Sequence, residues 1–384
     1  MPEVKDAPGG IAGEPSWFKR IVLPGLALKA FVIGGGYATG RELAEFFLAA
    51  GPWGGVYAIL FATGVMSLLS ALTFVLARRL RAFDYRTFFK ELLGPGWVVF
   101  EVSYLLLIIL ILAVYGAAAG AIGQAVLGAP DWVGTLALLA GISIFVAFGN
   151  SAVERLFRDA SYLLYAVYAL FIVLALVQFG DRIPTAFADH PDTSGWAMNG
   201  LSYASYNTVG AVIILPVLRH LTSDRDAVLS GVLAGPLTMV PALTFFIPMV
   251  AFYPAIQTEA LPSDYILQRI GLPWFHLLFQ AMIFAALLES GASAVHAINE
   301  RVDTAWAARR GHSLPQRWRL LIALVMLGGC MFLAGRFGIV SLIANGYRLL
   351  GYIFLAVFVL PVVTIGLARI WSHEGTHPVP GEPG

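Results

Sequence analysis

Apolar positions along this chain do not alternate with polar ones; they come in long runs separated by short polar breaks. A bilayer core of roughly 30 Å needs about 20 apolar residues per helix. The alternating segments of about ten residues that mark an outer-membrane barrel are missing. The runs fall near 20–48, 53–77, 97–125, 132–149, 160–180, 197–218, 227–252, 274–299, 317–335 and 342–369, and they predict an all-α integral membrane protein with ten transmembrane helices. Composition agrees: 59% of the 384 residues are hydrophobic and 12% charged, outside the usual range of soluble domains.

The positions of the 24 lysines and arginines test this division, because short cytoplasmic loops concentrate them. Lys5, Lys19, Arg20, Arg78, Arg79, Arg81, Arg86, Lys90, Arg155, Arg158, Arg219, Arg225, Arg301, Arg309, Arg310, Arg317, Arg319 and Arg369 fall on one side. Only Arg182, Arg269 and Arg336 fall on the other, and Lys29, Arg41 and Arg348 lie within runs. The bias predicts a multi-pass protein of the cytoplasmic membrane with both termini in the cytoplasm. Residues 1–20 carry no early apolar stretch ending in a cleavage site, so a removable signal peptide is not expected. Cys330, the single cysteine, has no partner for an intrachain disulfide.

Two connections read as structured. The stretch 82–94, AFDYRTFFKELLG, mixes aromatics with charges and predicts a helix lying in the membrane interface. The stretch 261–271, LPSDYILQRIG, predicts a short surface helix with Ser263 as N-cap and Gly271 as stop, placed as a lid or an ordered connector over the outer mouth.

Ten helices divide into five and five, and an odd number per half makes the second half run inverted. The expected layout is a cytoplasmic segment 1–19, a five-helix repeat 20–180, an outer connecting loop 181–196, a second five-helix repeat 197–369 and a cytoplasmic tail 370–384. Runs one and six correspond in such a repeat. Run one reaches Gly34, Gly35 and Gly36 about halfway along, and run six reaches SYNTVG, 205–210, at the same depth. Glycine in a helix interior costs about 0.5–1 kcal/mol against alanine, and unwound backbone at bilayer depth survives only where protein or a water-filled cavity satisfies it. Paired interruptions in two halves point to a transporter binding site. Close helix packing is the other use of such glycines.

The stretch GGGYATGREL followed by a phenylalanine pair, with SYASYN in run six and ANGYRLLGY in run ten, resembles the bacterial YkvI-type membrane proteins. These are similar, more distantly, to the amino acid, polyamine and organocation transporter superfamily with the LeuT-type fold. The resemblance spans nearly the whole chain and implies a 5+5 inverted repeat with broken helices one and six. The sodium-symporter signatures of better-studied members are absent.

Charges inside runs are costly and mark pathways or relays. Arg41 and Glu45 are four apart and can pair along a helix, and Glu42 lies roughly 12 Å beyond Gly34 at the helical rise. All three belong near the outer mouth, as does Arg348. The resemblance places runs one and ten across an outer vestibule, so a gate pairing Glu42 or Glu45 with Arg348 is expected; interface anchoring is the plainer role. In run eight, Glu289, Ser293 and His296 share one face. The resemblance implies a sodium ion held by carbonyls around Gly34 to Tyr37 with Ser293, joined by Ser290 or Glu289. A carboxylate at mid-membrane makes proton coupling through Glu289, with His296 as relay, equally open. Lys29 either fills a cation site with its ammonium or neutralises Glu289.

The expected substrate chamber lies between the two breaks. Helices restarting after Gly36 and Gly210 would aim positive ends toward it, with Tyr115, Tyr203, Tyr206, Asn207 and Thr208 as candidate lining. The expected function is a secondary active transporter moving an amino acid or related zwitterion or organic anion by alternating access, coupled to Na⁺ or H⁺ and with no other cofactor. A transporter-fold sensor that binds without net transport is the alternative. A membrane enzyme is not expected: no HExxH or GxSG pattern, visible triad or Cys/His metal cluster is present. The expected partners are a small solute and the lipid bilayer, not nucleic acid; oligomeric state is not encoded in these patterns.

Overall fold

The computed structural model of the chain describes residues 15–148, 151–190 and 193–371. Lys5 and the tail beyond 371 lie outside the described residues.

Run one is not a single helix. It forms α1 (Leu23–Val32), α2 (Gly35–Ala38) and α3 (Arg41–Phe46). The first break falls at Ile33 and Gly34, where Ile33 has ψ 79° and Gly34 is extended at φ −101°, ψ −173°. The helix therefore restarts at Gly35, not after Gly36, and stops again at Gly40, whose φ of 79° suits a residue without a Cβ. Two breaks, not one, interrupt this run, and the restarted helix is only a turn long.

The next elements are α4 (Gly51–Arg79), α5 (Tyr85–Leu93), α6 (Trp97–Leu127), α7 (Asp131–Phe148) and α8 (Ser151–Phe179). Helix α5 is the amphipathic element expected from 82–94. Asp84 caps it by accepting from the Thr87 N–H at 2.9 Å, and Phe88, Phe89 and Leu92 are buried beneath it. The connection 181–196 holds a helix of its own, α9 (Arg182–Asp189).

Run six is divided more gently than run one: Thr208 (φ −67°, ψ −13°) and Val209 (φ −53°, ψ −30°) keep helical angles, so the expected break is a change of turn rather than an unwound segment. Helix α10 (Trp196–Asn207) ends at Thr208, α11 (Gly210–Ile213) restarts, and a 3₁₀ turn, Leu215–His220, finishes the run. Then follow α12 (Asp224–Val250), α13 (Pro262–Ile270), α14 (Pro273–Arg310) and α15 (Gln316–Ser341). Ser263 does not cap α13. Pro262 takes the first helical position, which puts the cap at Leu261 and Ser263 inside, its N–H donating to the Thr39 carbonyl at 3.0 Å. Gly271, at φ 72°, stops the helix as expected. The last run carries α16 (Arg348–Phe354) and α17 (Leu367–Trp371) between wide π-type turns.

By length and apolarity alone, five helical stretches among the described residues qualify as crossings, six if the pair bent by 76° at Leu164–Phe179 and Arg182–Asp189 is one span. One of these, Gln316–Trp371, has 56 residues and would be about 84 Å long as one helix, far more than a bilayer needs. Gly338, with φ 69° and ψ 166°, kinks it. The other expected runs are helical too, but broken or shorter.

Close packing of small residues holds the bundle together. A Cβ on Gly231 would come within 2.3 Å of the Ala71 backbone, and one on Gly235 within 2.1 Å of Ser67 Oγ, so α12 and α4 touch almost backbone to backbone.

Candidate functional site

The break at Ile33 and Gly34 opens onto two cavities of different size. The smaller, about 30 Å³, lies between the interruptions of runs one and six and is lined by Gly34, Gly36, Tyr37, Tyr115, Tyr206 and Asn207, with Glu42 and Tyr347 completing it. Its volume suits about one water. Tyr206 donates to Glu42 across it at 2.8 Å, and the Tyr206 and Tyr347 rings meet at a tilt of 40° with centroids 5.0 Å apart.

The larger cavity, about 790 Å³, lies on the side of the basic loops and reaches Gly34 and Tyr37 from there. Glu289, Ser290 and Ser293 of α14, Lys29 of α1 and Tyr165 of α8 all face it. A Cβ on Gly34 would lie 2.8 Å from Tyr115 Oη and 3.5 Å from Ser290 Oγ, so α14 and α6 both close directly on the break. Lys29 Nζ sits 4.5 Å from the centroid of the Tyr165 ring. Neither Lys29 nor Glu289 has an ion-pair partner among the described residues, so the two form no direct ion pair with each other. His296 is exposed and off the cavity wall.

At the opposite end the bundle is shut by charge. Arg41 Nη2 lies 2.8 Å from Glu45 Oε2 and Arg348 Nη2 lies 3.2 Å from Glu45 Oε1. Arg41 also donates to the carbonyls of Gln257 and Glu259, which pins α3 to the segment leading into α13. Gln257 returns the contact with a bond to the Leu48 carbonyl at 2.8 Å. The Arg41 side chain is 4% exposed, Glu45 15% and Arg348 33%.

The structure thus brings together Arg41, Glu45 and Arg348 and separates Glu42 from them, turned inward to Tyr206. It brings Gly34, Tyr37, Glu289, Ser290 and Ser293 to one wall, and Gly34, Gly36, Tyr37, Tyr115, Tyr206 and Asn207 to another. Tyr203 packs between Phe46 and Phe47, with centroids 5.8 and 4.7 Å away. Thr208 bonds back to the Ala204 carbonyl, and a Cβ on Gly210 would clash with Phe31 at 2.4 Å. These three lie off both cavities, each held in packing or in a local hydrogen bond; the surroundings of Gly35 lie outside what the structure describes. Sequence reasoning did not single out Tyr347, Tyr165 or Tyr168 as lining; Tyr165 and Tyr168 stand in an apolar stretch, where periodicity cannot tell one face from another, and Tyr347 is overshadowed by the charge of Arg348 beside it. Glu42, expected at the gate beside Glu45, instead accepts from Tyr206; the signal that separates the two is helical phase, since Glu42 stands about 100° round the helix from Arg41 whereas Glu45 returns to the Arg41 face.

Among known structures, the chain superposes on MhsT in complex with L-phenylalanine with a TM-score of 0.60, 17% identity, and coverage of 96% of this chain and 100% of that one. The fold is LeuT-type. In sequence the chain is similar to the uncharacterized membrane protein YkvI of Bacillus subtilis (strain 168), 25% identical over 329 residues, which is 85% of this chain and 90% of the relative. No family model matches.

Proposed function

We propose that the chain is a secondary active transporter for a small solute, an amino acid or related zwitterion or organic anion, working by alternating access between two five-helix halves. The observation that carries this reading is the asymmetry around the central break: sealed by Arg41, Glu45 and Arg348 on one side, open to a cavity of about 790 Å³ on the other. A channel keeps a continuous polar pore; a vestibule ending at a closed, broken-helix site belongs to a protein that exposes that site to one side at a time.

The packing supports ten crossings in an inverted repeat. Exchanging corresponding helices of the two halves carries the α1–α12 contact into α10–α4, and the α6–α15 contact into α14–α7, all of which exist. The α4–α12 contact maps onto itself. The basic loops then lie on the cytoplasmic side, and the conformation is inward-facing. Ser290 and Ser293 beside the Gly34 break suit sodium, and Glu289 on the same wall suits a proton. The binding of L-phenylalanine by the structural neighbour MhsT supports an amino acid as the solute.

The test is ligand-induced thermal shift of the purified protein across amino acids and small organic acids, with and without sodium and over pH, followed by flux in liposomes. Flux of a stabilising solute driven by a sodium or proton gradient is expected. Binding without flux would replace the transporter with a sensor.

A further inference from the structure

Among the described residues, Lys29 and Glu289 are the two charged ones on the wall of the large cavity, and they face it from different helices, α1 and α14. Each is short of a partner. Among the described residues the Lys29 ammonium makes no hydrogen bond or ion pair and sits over the face of Tyr165, at 4.5 Å, a contact that leaves its N–H donors available to an acceptor. Glu289 accepts no hydrogen bond and forms no ion pair among the described residues, and its charged atoms lie more than 4.0 Å from those of Lys29. Two opposite charges held apart within membrane-spanning helices are costly unless something completes them. Apart from Ser290, Ser293, Thr244 and tyrosine hydroxyls, the rest of the wall is apolar, with Phe31, Ile108, Ile111, Ile172 and Val240 beside the Tyr165 ring. The volume falls within the range of small-molecule sites, roughly 300–1,000 Å³, whereas the central cavity of about 30 Å³ holds no solute as it stands.

We propose that Lys29 and Glu289 form a zwitterion clamp: a second solute site between the Gly34 break and the basic-loop side, taking an α-amino acid with a bulky apolar side chain. Lys29 receives the carboxylate, Glu289 receives the ammonium, and the side chain lies against the aliphatic wall and the Tyr165 ring. The clamp deepens the transporter reading and rests on it for the direction of travel. Site and chemistry are nevertheless tested by binding alone.

The experiment measures equilibrium binding of L-phenylalanine, L-phenylalaninamide and N-acetyl-L-phenylalanine to the purified full chain by calorimetry. The amide lacks the carboxylate and the acetyl derivative lacks the ammonium. The unmodified protein is expected to prefer the parent amino acid over each by about tenfold or more, the loss typical of an unmade charged hydrogen bond. Lys29→Gln should abolish discrimination against the amide only, and Glu289→Gln discrimination against the acetyl derivative only; a purely structural role would weaken all three ligands alike. The exchange Lys29→Glu with Glu289→Lys should restore preference for the zwitterion in reversed orientation. Intact discrimination in both single variants overturns the clamp and leaves the transporter reading standing. Failure of the unmodified protein to bind L-phenylalanine overturns the proposed solute class. Discrimination as expected but no flux in liposomes preserves the clamp and removes the transporter.

Discussion

Replacing Arg348 with alanine is the most direct probe of closure at the Arg41–Glu45–Arg348 cluster. Arg41 and Glu45 both belong to α3 and stay together when α3 moves, so their pair contributes little to the difference between open and closed. The Arg348–Glu45 contact at 3.2 Å joins separate elements and must break on opening. With Arg348 one-third exposed, solvent screens the pair and its worth is about 0.5–1 kcal/mol, or about two- to fivefold in the open population. Glu45→Gln should do more: it leaves Arg41, 4% exposed, beside Arg348 with no carboxylate between them. Opening should rise about tenfold or more, because a buried charge stripped of its partner is strongly unfavourable. The double variant should fall below Glu45→Gln alone, since removing Arg348 relieves the repulsion. Ser202 offers a reporter. It is buried at 2% exposure, its hydroxyl has no hydrogen-bond partner, and it lies one turn along α10 from Asn199, which faces Arg348. In a Cys330→Ala background, Ser202→Cys should react slowly with a membrane-impermeant maleimide, at a rate that follows the open population when opening is fast. Labelling within twofold of the parent for both single variants, or additive effects in the double, would refute the gate.

Other consequences concern local structure. Gly34→Ala should destabilise the parent protein slightly, because the new Cβ falls 2.8 Å from Tyr115 Oη. In a Tyr115→Phe background the same change should stabilise by about 0.5 kcal/mol, through the lower entropy of the unfolded chain; thermal unfolding showing the same sign in both backgrounds would count against this close approach. Gly40→Ala combines φ 79° with Cβ contacts of 3.0 Å to Phe245 and 3.2 Å to Pro262, so a loss of about 1–3 kcal/mol is expected, seen as a lowered Tm. Asp84→Ala removes the cap of α5 and should cost about 0.5–1 kcal/mol. Burial pushes the Asp84 carboxyl up, but the hydrogen bonds from Thr87 and the charge of Arg86 outweigh it and hold it below the usual carboxylate range. A folded-state pKa below the unfolded one means the cap's contribution is complete above roughly pH 4 and declines as pH falls through the lower value. The difference in Tm between parent and Asp84→Ala should therefore shrink on acidification.

Much of the helix layout was legible because a lipid-facing helix must be apolar throughout its length, and run length alone reports that. The glycine triplet located the first break to within a residue or two. The second break, at Gly40, was hidden because a single glycine between Thr39 and Arg41 resembles any tolerated helix glycine; only its positive φ shows the turn. The capping of α13 was misread because serine is a strong cap former, while Pro262 beside it sets the start two residues earlier. The cavities lay beyond pattern reading for a different reason. Tyr165 and Tyr168 stand in an apolar stretch of α8 and Tyr347 next to Arg348, so nothing in their spacing tells a lining ring from a packed one. Lys29 and Glu289 are 260 positions apart, and their failure to pair is a property of the folded bundle alone.

The position of Glu42 ties the two ends of the site together. Helix α3 runs only from Arg41 to Phe46, between the turn at Gly40 and the 3₁₀ turn Leu48–Ala50, so it moves as one piece. On one face it carries Arg41 and Glu45, which close the bundle; on another it carries Glu42, which holds Tyr206 across the central cavity at 2.8 Å. A solute needs far more than about 30 Å³, so it can enter the central cavity only by separating Glu42 from Tyr206 or by displacing the Tyr115 and Tyr347 rings. The first route rotates or shifts α3 and strains the Arg348–Glu45 bond together with the Arg41 bonds to the Gln257 and Glu259 carbonyls. The second leaves α3 in place and the gate shut. Filling the central site through Glu42 thus competes directly with closure at Glu45, and the shut gate and collapsed cavity seen together are two aspects of one position of a six-residue helix.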